Sequence, residues 1–295
     1  MGRFSSGDDS DMEVETPHSF TGRMCAGSRW EESGRPDKLF EDPTAYALAG
    51  SSGRRQPMGA WILVPRTKFG DDLLIDRYHN HGARQLVLLG AGMDSRAYRM
   101  EGLEDLTVFE VDQQTTFDVK EPILEKPQLD GYSGNPAKVW PMLFKKREVV
   151  ATEFSEKNKW VQDLVSKGFD KTVPTVWLLE GLMMYLSPND GKALMRQIGS
   201  LSAPKSVVFH DGCSRSYLAQ KIIVGGAPFI GGSDTYGSEW TMMGGFDSVK
   251  VHDFSEDLHV DRRNKRLVLT AEGRATPDRC KGRLLVLFVV AEKTK

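Results

Sequence analysis

The residues best suited to chemistry lie between positions 85 and 100, where the sequence reads QLVLLGAGMDSRAYRM. An apolar run ends in Gly90 and Gly92, and Asp94 and Arg96 follow directly. Glycine permits a tight turn and a close approach of the backbone to a ligand. A carboxylate beside a guanidinium suits a ligand with charges of both signs, such as the amino-acid end of a small molecule.

A further acid, Asp112, follows this turn by roughly 20 residues, a spacing at which a carboxylate can accept hydrogen bonds from the hydroxyls of an adenosine ribose. A dinucleotide needs a third glycine in the turn, and Ser95 stands at that position. The Asp94 carboxylate would also repel a pyrophosphate group. These residues favour S-adenosylmethionine over NAD as the cofactor, and an NAD-dependent oxidoreductase is kept as the alternative.

The elements that must position these residues are read from the hydrophobic pattern. Five short apolar runs alternate with helical stretches: QLVLLG, LTVFEVD, REVVATEF, TVWLLEG and KSVVFHDG. Such alternation predicts an α/β fold with a mostly parallel sheet and helices on both faces. SVKVHDF and GRLLVLFVVAEK predict two closing strands, for seven in all, and RLVLTAEG between them is ambiguous.

Ligands of open parallel sheets bind beyond the carboxyl ends of the strands, so each strand end is a candidate site. The third run ends at Glu153 and Phe154, and the fourth delivers Glu180, with Tyr185 shortly after it. The fifth run ends at His210 and Asp211.

The chain is predicted to contain one domain, residues 25–295, behind a disordered polar tail of residues 1–24. Within the domain we expect N-terminal helices at 36–80, a cofactor-binding core at 85–211 and closing strands at 247–295. Residues 212–246 mix aromatic side chains, methionines and glycines without a clean period. We interpret them as a lid over the acceptor.

The composition excludes several classes of function. With 39 basic and 41 acidic residues the net charge is -2, so nothing draws the whole chain to nucleic acid or an anionic membrane. The three cysteines lack metal-binding spacing, and His79 and His81 do not share a helix face, so no metal is expected. No apolar run is long enough to cross a bilayer, and a cytoplasmic location is expected.

The sequence resembles the leucine carboxyl methyltransferase family, a branch of the class I S-adenosylmethionine-dependent methyltransferases with a Rossmann-like fold. QLVLLGAGMDSRAYRM, VFEVDQ, GFDKTVPTVWLLEGLMMYL, FEDPTAYALAG and PRTKFGDDLL carry the likeness, which covers residues 36 to 210. The resemblance implies contacts of Arg66 and Arg96 with the cofactor carboxylate, and of Gly90 and Gly92 with its methionine part. It also implies that Asp112 holds the ribose and that Glu180 lies near the amino-acid end.

Two positions depart from the pattern of that family. Glu153 and Phe154 stand where the family usually has Asp-Leu as the adenine contact, and a longer carboxylate can still accept from the adenine amino group. Ser95 replaces a common threonine, which is a mild chemical change.

The expected activity is O-methylation of a carboxyl or hydroxyl group, on a small molecule or on a protein C-terminus. A carboxylate needs no general base, because it is already ionised at neutral pH. A hydroxyl would be helped by a base, for which Tyr185, His210 and Asp211 are candidates. No nucleic acid or membrane partner is expected. A non-catalytic adenosine-binding protein is the second alternative, and no oligomeric state is predicted.

Overall fold

The structure is a computed structural model that describes residues 16–152, 159–270 and 282–295. Its described strands are β1 (Gln85–Leu89), β2 (Thr107–Asp112), β3 (Lys146–Ala151), β4 (Thr175–Leu179), β5 (Val207–Cys213), β6 (Ile223–Val224), β7 (Ala227–Pro228), β8 (Ser248–Asp253), β9 (Leu258–Asp261), β10 (Arg266–Leu269) and β11 (Val286–Glu292). Seven of them form one sheet in the order β3-β2-β1-β4-β5-β11-β8. The first five are parallel, and β11 runs antiparallel to both of its neighbours. The predicted seven-stranded, mostly parallel sheet is therefore confirmed.

The described helices are α1 (Pro17–Ser33), α2 (Ala45–Arg55), α3 (Ala60–His81), α4 (Arg96–Arg99), α5 (Gln114–Leu124), α6 (Lys159–Ser166), α7 (Pro188–Leu201), α8 (Arg215–Leu218) and α9 (Phe254–Asp257). Strands β1 and β4 are buried along their whole length, as expected for central strands covered on both faces. Trp160 and Met195 belong to the core on one face, and Leu74 and Phe288 belong to the core on the other. None of the helices in the described part of the chain is both long and apolar enough to span a membrane.

The start of the chain corrects the predicted limit of the tail. Residues 1–15 lie outside the described residues, but residues 17–24 are part of helix α1 rather than of a disordered tail. Thr16 caps this helix by accepting a hydrogen bond from Ser19 N at 3.2 Å, and Pro17 occupies its first position. Helix α1 packs closely against α2. A Cβ on Gly27 would lie 2.2 Å from the carbonyl oxygen of Gly53 in α2, so only glycine fits at this contact.

The 212–246 segment divides into two parts. Up to residue 229 it contains α8 and the β6–β7 hairpin, whose residues Ile222, Val224 and Phe229 line a cavity. Beyond that point Tyr236 and Trp240 are buried in the core beside α7, so this second part is not a lid. These two side chains lie in a π-helical turn, whose spacing differs from that of an α-helix or a strand. The sequence of this part therefore shows no regular hydrophobic period. The ambiguous run RLVLTAEG contains β10, which pairs with β9 in a separate two-stranded sheet.

Candidate functional site

A cavity of about 520 Å³ opens at the carboxyl ends of the central strands. The order of the strands reverses between β1 and β4, which is the point where open α/β sheets bind their ligands. Residues at or near the carboxyl ends of β1, β2, β4 and β5 all reach this cavity, including Gly90, Asp112, Glu180 and Asp211. The topology thus brings together side chains that are far apart in the sequence.

The glycine turn forms the floor of the cavity. Gly90 and Gly92 have φ values of 72° and 48°, a region that side-chain-bearing residues rarely adopt. The Gly90 N–H donates to the Val111 carbonyl at 2.9 Å, which ties the turn to β2. A Cβ on Gly90 would lie 3.3 Å from Leu182, which is a tight contact. The floor of the cavity at this position is therefore formed by the main chain. A ligand can therefore approach the main chain closely.

Asp112 holds the same turn from the end of β2. Its Oδ2 accepts from Gly92 N at 2.7 Å, and its Oδ1 accepts from Gln113 N at 2.7 Å and from the Thr116 hydroxyl at 3.1 Å. Burial raises the pKa of Asp112, although the two backbone donors oppose the rise. A carboxylate oxygen can accept two hydrogen bonds, so Oδ2 keeps room for one ligand hydroxyl.

Arg96 lines the cavity and is also bound by acids of the protein, so its contact with a ligand carboxylate stays a prediction. Its guanidinium is 2% exposed and donates to Asp71 at 2.8 Å, to Glu180 at 2.5 Å and to Asp94. Arg99 binds the same Asp71 through two hydrogen bonds of 2.7 and 2.8 Å. Arg96 thus orients the acids that face the cavity, and its own charge is already compensated within the protein.

Asp94 serves two roles in this cluster. Its Oδ1 accepts from Arg96 N at 2.8 Å, which caps the short helix α4, and its Oδ2 accepts from the Arg96 side chain. Burial alone would raise the pKa of Asp94, but the guanidinium groups of Arg96 and Arg99 bring it to about 2. The carboxylate is therefore ionised at neutral pH.

Arg66 forms ion pairs with two acids that line the cavity. Its Nη1 donates to Asp211 at 2.9 Å, and its Nη2 lies 3.7 Å from the Cys25 thiol. Its Nε–H is buried and makes no hydrogen bond, and Glu180 Oε2 lies 3.7 Å from it in an ion pair. Burial raises the pKa of Glu180 against the opposing effect of Arg96 and Arg66. The Arg66 guanidinium therefore lines the cavity with its charge shared between Asp211 and Glu180.

The three candidate bases occupy different places, and Asp211 lines the cavity while paired with Arg66 at 2.9 Å. Tyr185 lines the cavity, and its ring packs edge-on against Phe229 with the ring centres 5.2 Å apart. Burial raises the pKa of Tyr185, which keeps its hydroxyl protonated at neutral pH. His210 is fully buried and does not line the cavity; its ring packs on Tyr236 at 5.3 Å. His210 alternates with Asp211 along β5 and faces the core, so the interpretation of His210 as a base is wrong.

His210 should instead make the fold sensitive to acid. Burial lowers its pKa from 6.5 to about 4, so the unfolded chain takes up a proton on this residue before the folded chain does. Stability is complete above pH 6.5 and falls as the pH drops toward 4. Between pH 7 and pH 4.5 we expect the wild type to lose about 2.5 kcal/mol more stability than the His210→Leu variant. Urea unfolding at both pH values measures this difference, and equal losses would contradict the assignment.

Glu153 and Phe154 lie outside the described residues, so the adenine contact stays a prediction. Strand β3 ends at Ala151, and Thr152 N donates to the Asp112 carbonyl at 2.8 Å. Among the described residues no group of three or more His, Cys, Asp or Glu side chains could hold a metal ion.

Sequence reasoning missed the contribution of the N-terminal helices to the site. Cys25 and Arg29 of α1 and Trp61 and Ile62 of α3 line the cavity. The Thr-Pro pair at the start of α1 is a helix-start signal that could have revealed the first of these helices. No local pattern indicates that α1 lies against the glycine turn.

Comparison with known proteins gives a family match. The family described as leucine carboxyl methyltransferase matches residues 23–199. A Streptomyces coelicolor protein named as an S-adenosyl-L-methionine-dependent methyltransferase is 36% identical over 190 residues, 59% of this chain and 62% of its own length. A protein of the same name from Mycobacterium sp. strain KMS is 30% identical over 221 residues, 68% of each chain. The match thus spans less than two thirds of the length of the first of these relatives.

Two solved structures share the fold. A crystal structure described as a methyltransferase from Thermobifida fusca YX has a TM-score of 0.56 at 15% identity and covers 97% of both chains. A DUF574 family protein from Streptomyces avermitilis has a TM-score of 0.52 at 11% identity, covering 96% of this chain and 99% of its own. These likenesses confirm the Rossmann-like fold predicted from the sequence.

Proposed function

This chain belongs to the leucine carboxyl methyltransferase family, and from that premise we propose that it is an S-adenosylmethionine-dependent O-methyltransferase. The observation that carries the proposal is the cavity at the switch point of the sheet, where a glycine turn, the Asp112 carboxylate and the Arg66 guanidinium meet. The glycine turn allows the ligand to approach the backbone closely, Asp112 can accept from a ribose hydroxyl, and Arg66 can bind an amino-acid carboxylate.

The charge of the cavity supports a cationic cofactor. Among the residues that the structure describes, the carboxylates of Asp94, Asp112, Glu180 and Asp211 line it, against the guanidinium groups of Arg29, Arg66 and Arg96. The excess of one negative charge suits S-adenosylmethionine, whose sulfonium and ammonium groups outnumber its single carboxylate. A pyrophosphate would add two negative charges beside the ionised Asp94, which disfavours NAD.

Each residue then has a binding role. Arg66 holds the carboxylate of the amino-acid end, and Glu180 and Asp94 attract its ammonium group. Asp112 accepts from the ribose. Glu153 and Phe154 remain proposed as the adenine contact, because they follow β3 directly.

Little catalytic machinery is needed beyond binding. When bound, S-adenosylmethionine supplies a methyl group on a positively charged sulfur. The chain positions the acceptor oxygen in line with that methyl group and keeps water away by enclosing both in an apolar cavity. Tyr185, with its hydroxyl protonated, can donate a hydrogen bond to the acceptor but cannot remove its proton.

Thermal unfolding with three ligands tests the cofactor assignment. At 100 times the dissociation constant, S-adenosylmethionine or S-adenosylhomocysteine should raise the melting temperature by roughly 5 °C. NAD at the same concentration should leave the melting temperature unchanged. Stabilisation by NAD alone would overturn the proposal in favour of an oxidoreductase.

A further inference from the structure

Part of the cavity lining is left unassigned by the cofactor contacts. Its walls are apolar side chains from three parts of the chain: Trp61 and Ile62 of α3, Leu186 after β4, and Ile222 and Phe229 beside the hairpin. We refer to these five residues as the apolar half. They form the surroundings of any methyl acceptor.

Among the described residues, every cation that lines the cavity already has a partner or an assigned role, so none is left to bind an acceptor carboxylate. The cations that line the cavity are Arg29, Arg66 and Arg96. Arg29 donates to Asp42 at 2.7 Å, and Arg96 is bound by three acids. Arg66 pairs with Asp211 and Glu180, and it is assigned to the cofactor carboxylate. An acceptor carboxylate would enter without a protein partner, and burying an unpaired charge is costly.

A peptide acceptor would carry a further cost. Its last amide groups would bring N–H and C=O dipoles into the apolar half, and each needs a hydrogen-bond partner when it is buried. The side chains of this half are hydrocarbon or aromatic, apart from the Trp61 indole, and Trp61 is 60% exposed at the mouth of the cavity. The walls therefore fit a molecule that buries an apolar surface.

Three polar groups that line the cavity are neutral: the Tyr185 and Tyr217 hydroxyls and the Cys25 thiol. Burial raises the pKa of all three, so they keep their protons at neutral pH. They can form hydrogen bonds with an uncharged group, but none can act as a general base.

We propose, on the basis of the methyltransferase function above, that the acceptor is an uncharged aromatic small molecule with an acidic hydroxyl, a phenol or an enol. An aromatic ring fits the edge-on aromatic pair of Tyr185 and Phe229. As the hydroxyl oxygen forms a bond to the methyl carbon, its proton passes to the carboxylate of Asp211, which lines the cavity. The carbon–sulfur bond breaks and leaves its electron pair on sulfur, which gives a methyl ether and S-adenosylhomocysteine.

A matched pair of ligands tests this inference: 2-naphthol, and 2-naphthoate, which has the same ring with a carboxylate. Titration into protein saturated with S-adenosylhomocysteine should show that 2-naphthol binds at least tenfold more tightly than 2-naphthoate or a short peptide with a free C-terminal leucine. With S-adenosylmethionine present, 2-naphthol should be methylated in preference to both. Tighter binding of the carboxylate or the peptide, or no binding of 2-naphthol, would overturn the inference.

Variants near the β6–β7 hairpin test where in the cavity the acceptor binds. Phe229→Ala should weaken 2-naphthol binding about tenfold and change S-adenosylhomocysteine binding less than twofold. Ile230→Ala is the matched control, because Ile230 is the next residue, is 53% exposed and does not line the cavity. Equal losses in both variants would contradict the proposed position of the acceptor. If S-adenosylhomocysteine itself fails to bind the wild type, the proposed function fails, whereas its binding without 2-naphthol refutes only the acceptor class.

Discussion

Replacing Arg96 with methionine is expected to destabilise the protein by about 3–5 kcal/mol and to abolish cofactor binding. The guanidinium is buried and shared by Asp71, Asp94 and Glu180. Methionine has a similar length, so packing is largely kept while three acids lose a common partner. Two of these acids face the cavity, and their repulsion should displace the groups that receive the ligand.

Urea unfolding and calorimetry with S-adenosylhomocysteine measure the two parts of this prediction. Without Arg96 the buried acids should have raised pKa values, so the loss of stability grows as the pH rises. The defect of the variant should thus be smaller at pH 5 than at pH 8. Arg35→Met is the control, because Arg35 pairs with Asp37 at the surface and its side chain is 46% exposed. If the Arg96→Met variant unfolds at the same urea concentration as the wild type, Arg96 does not hold these acids together as assigned.

Replacing Asp112 with alanine is expected to weaken the binding of S-adenosylmethionine by about 1–3 kcal/mol, a factor of roughly 5 to 150. The variant loses the acceptor for the ribose hydroxyl, and it also loses the hydrogen bond that fixes Gly92 at 2.7 Å. Both losses act on the same ligand, because the glycine turn and the carboxylate line one cavity. Calorimetric titration of the variant gives the ratio of dissociation constants directly.

Thr116→Val is a matched control for the Asp112 variant. Thr116 is buried and donates its hydroxyl to Asp112 Oδ1 at 3.1 Å, and it does not line the cavity. Valine keeps the shape and removes only this support, so affinity for the cofactor should change less than twofold. If Asp112→Ala binds as tightly as the wild type, the ribose does not lie at this carboxylate.

The sheet was readable from the sequence because its central strands are covered on both faces. Buried parallel strands need nearly continuous apolar runs, and β1 and β4 have them. The glycine turn and Asp112 were also predictable, since the order of strand and turn fixes where their residues meet. The hydrogen bond between Gly92 N and Asp112 shows this connection directly.

Contacts between distant segments could not be predicted in the same way. Arg66 and Asp211 form an ion pair across 145 residues, and no local period connects a residue of α3 with the end of β5. The ion pairs of Arg96 were not predictable for a related reason: Asp71 and Glu180, which bind it, come from α3 and the end of β4. A guanidinium that looks free for a ligand in the sequence is shared among the protein's own acids in the fold.

The sequence also did not show to which face of the sheet each residue at the end of a strand points. His210 and Asp211 both end the fifth apolar run, and the sequence alone gave no reason to separate them. In the structure the alternation of side chains along β5 turns Asp211 toward Arg66 and His210 toward Tyr236. One residue reaches the cavity and the other is part of the core.

Titration calorimetry of the wild-type protein with S-adenosylmethionine and with S-adenosylhomocysteine tests the central claim most directly. We predict saturable one-to-one binding of both compounds, and no binding of NAD under the same conditions. Absence of a saturable heat with either compound would contradict the assignment of the cavity to this cofactor.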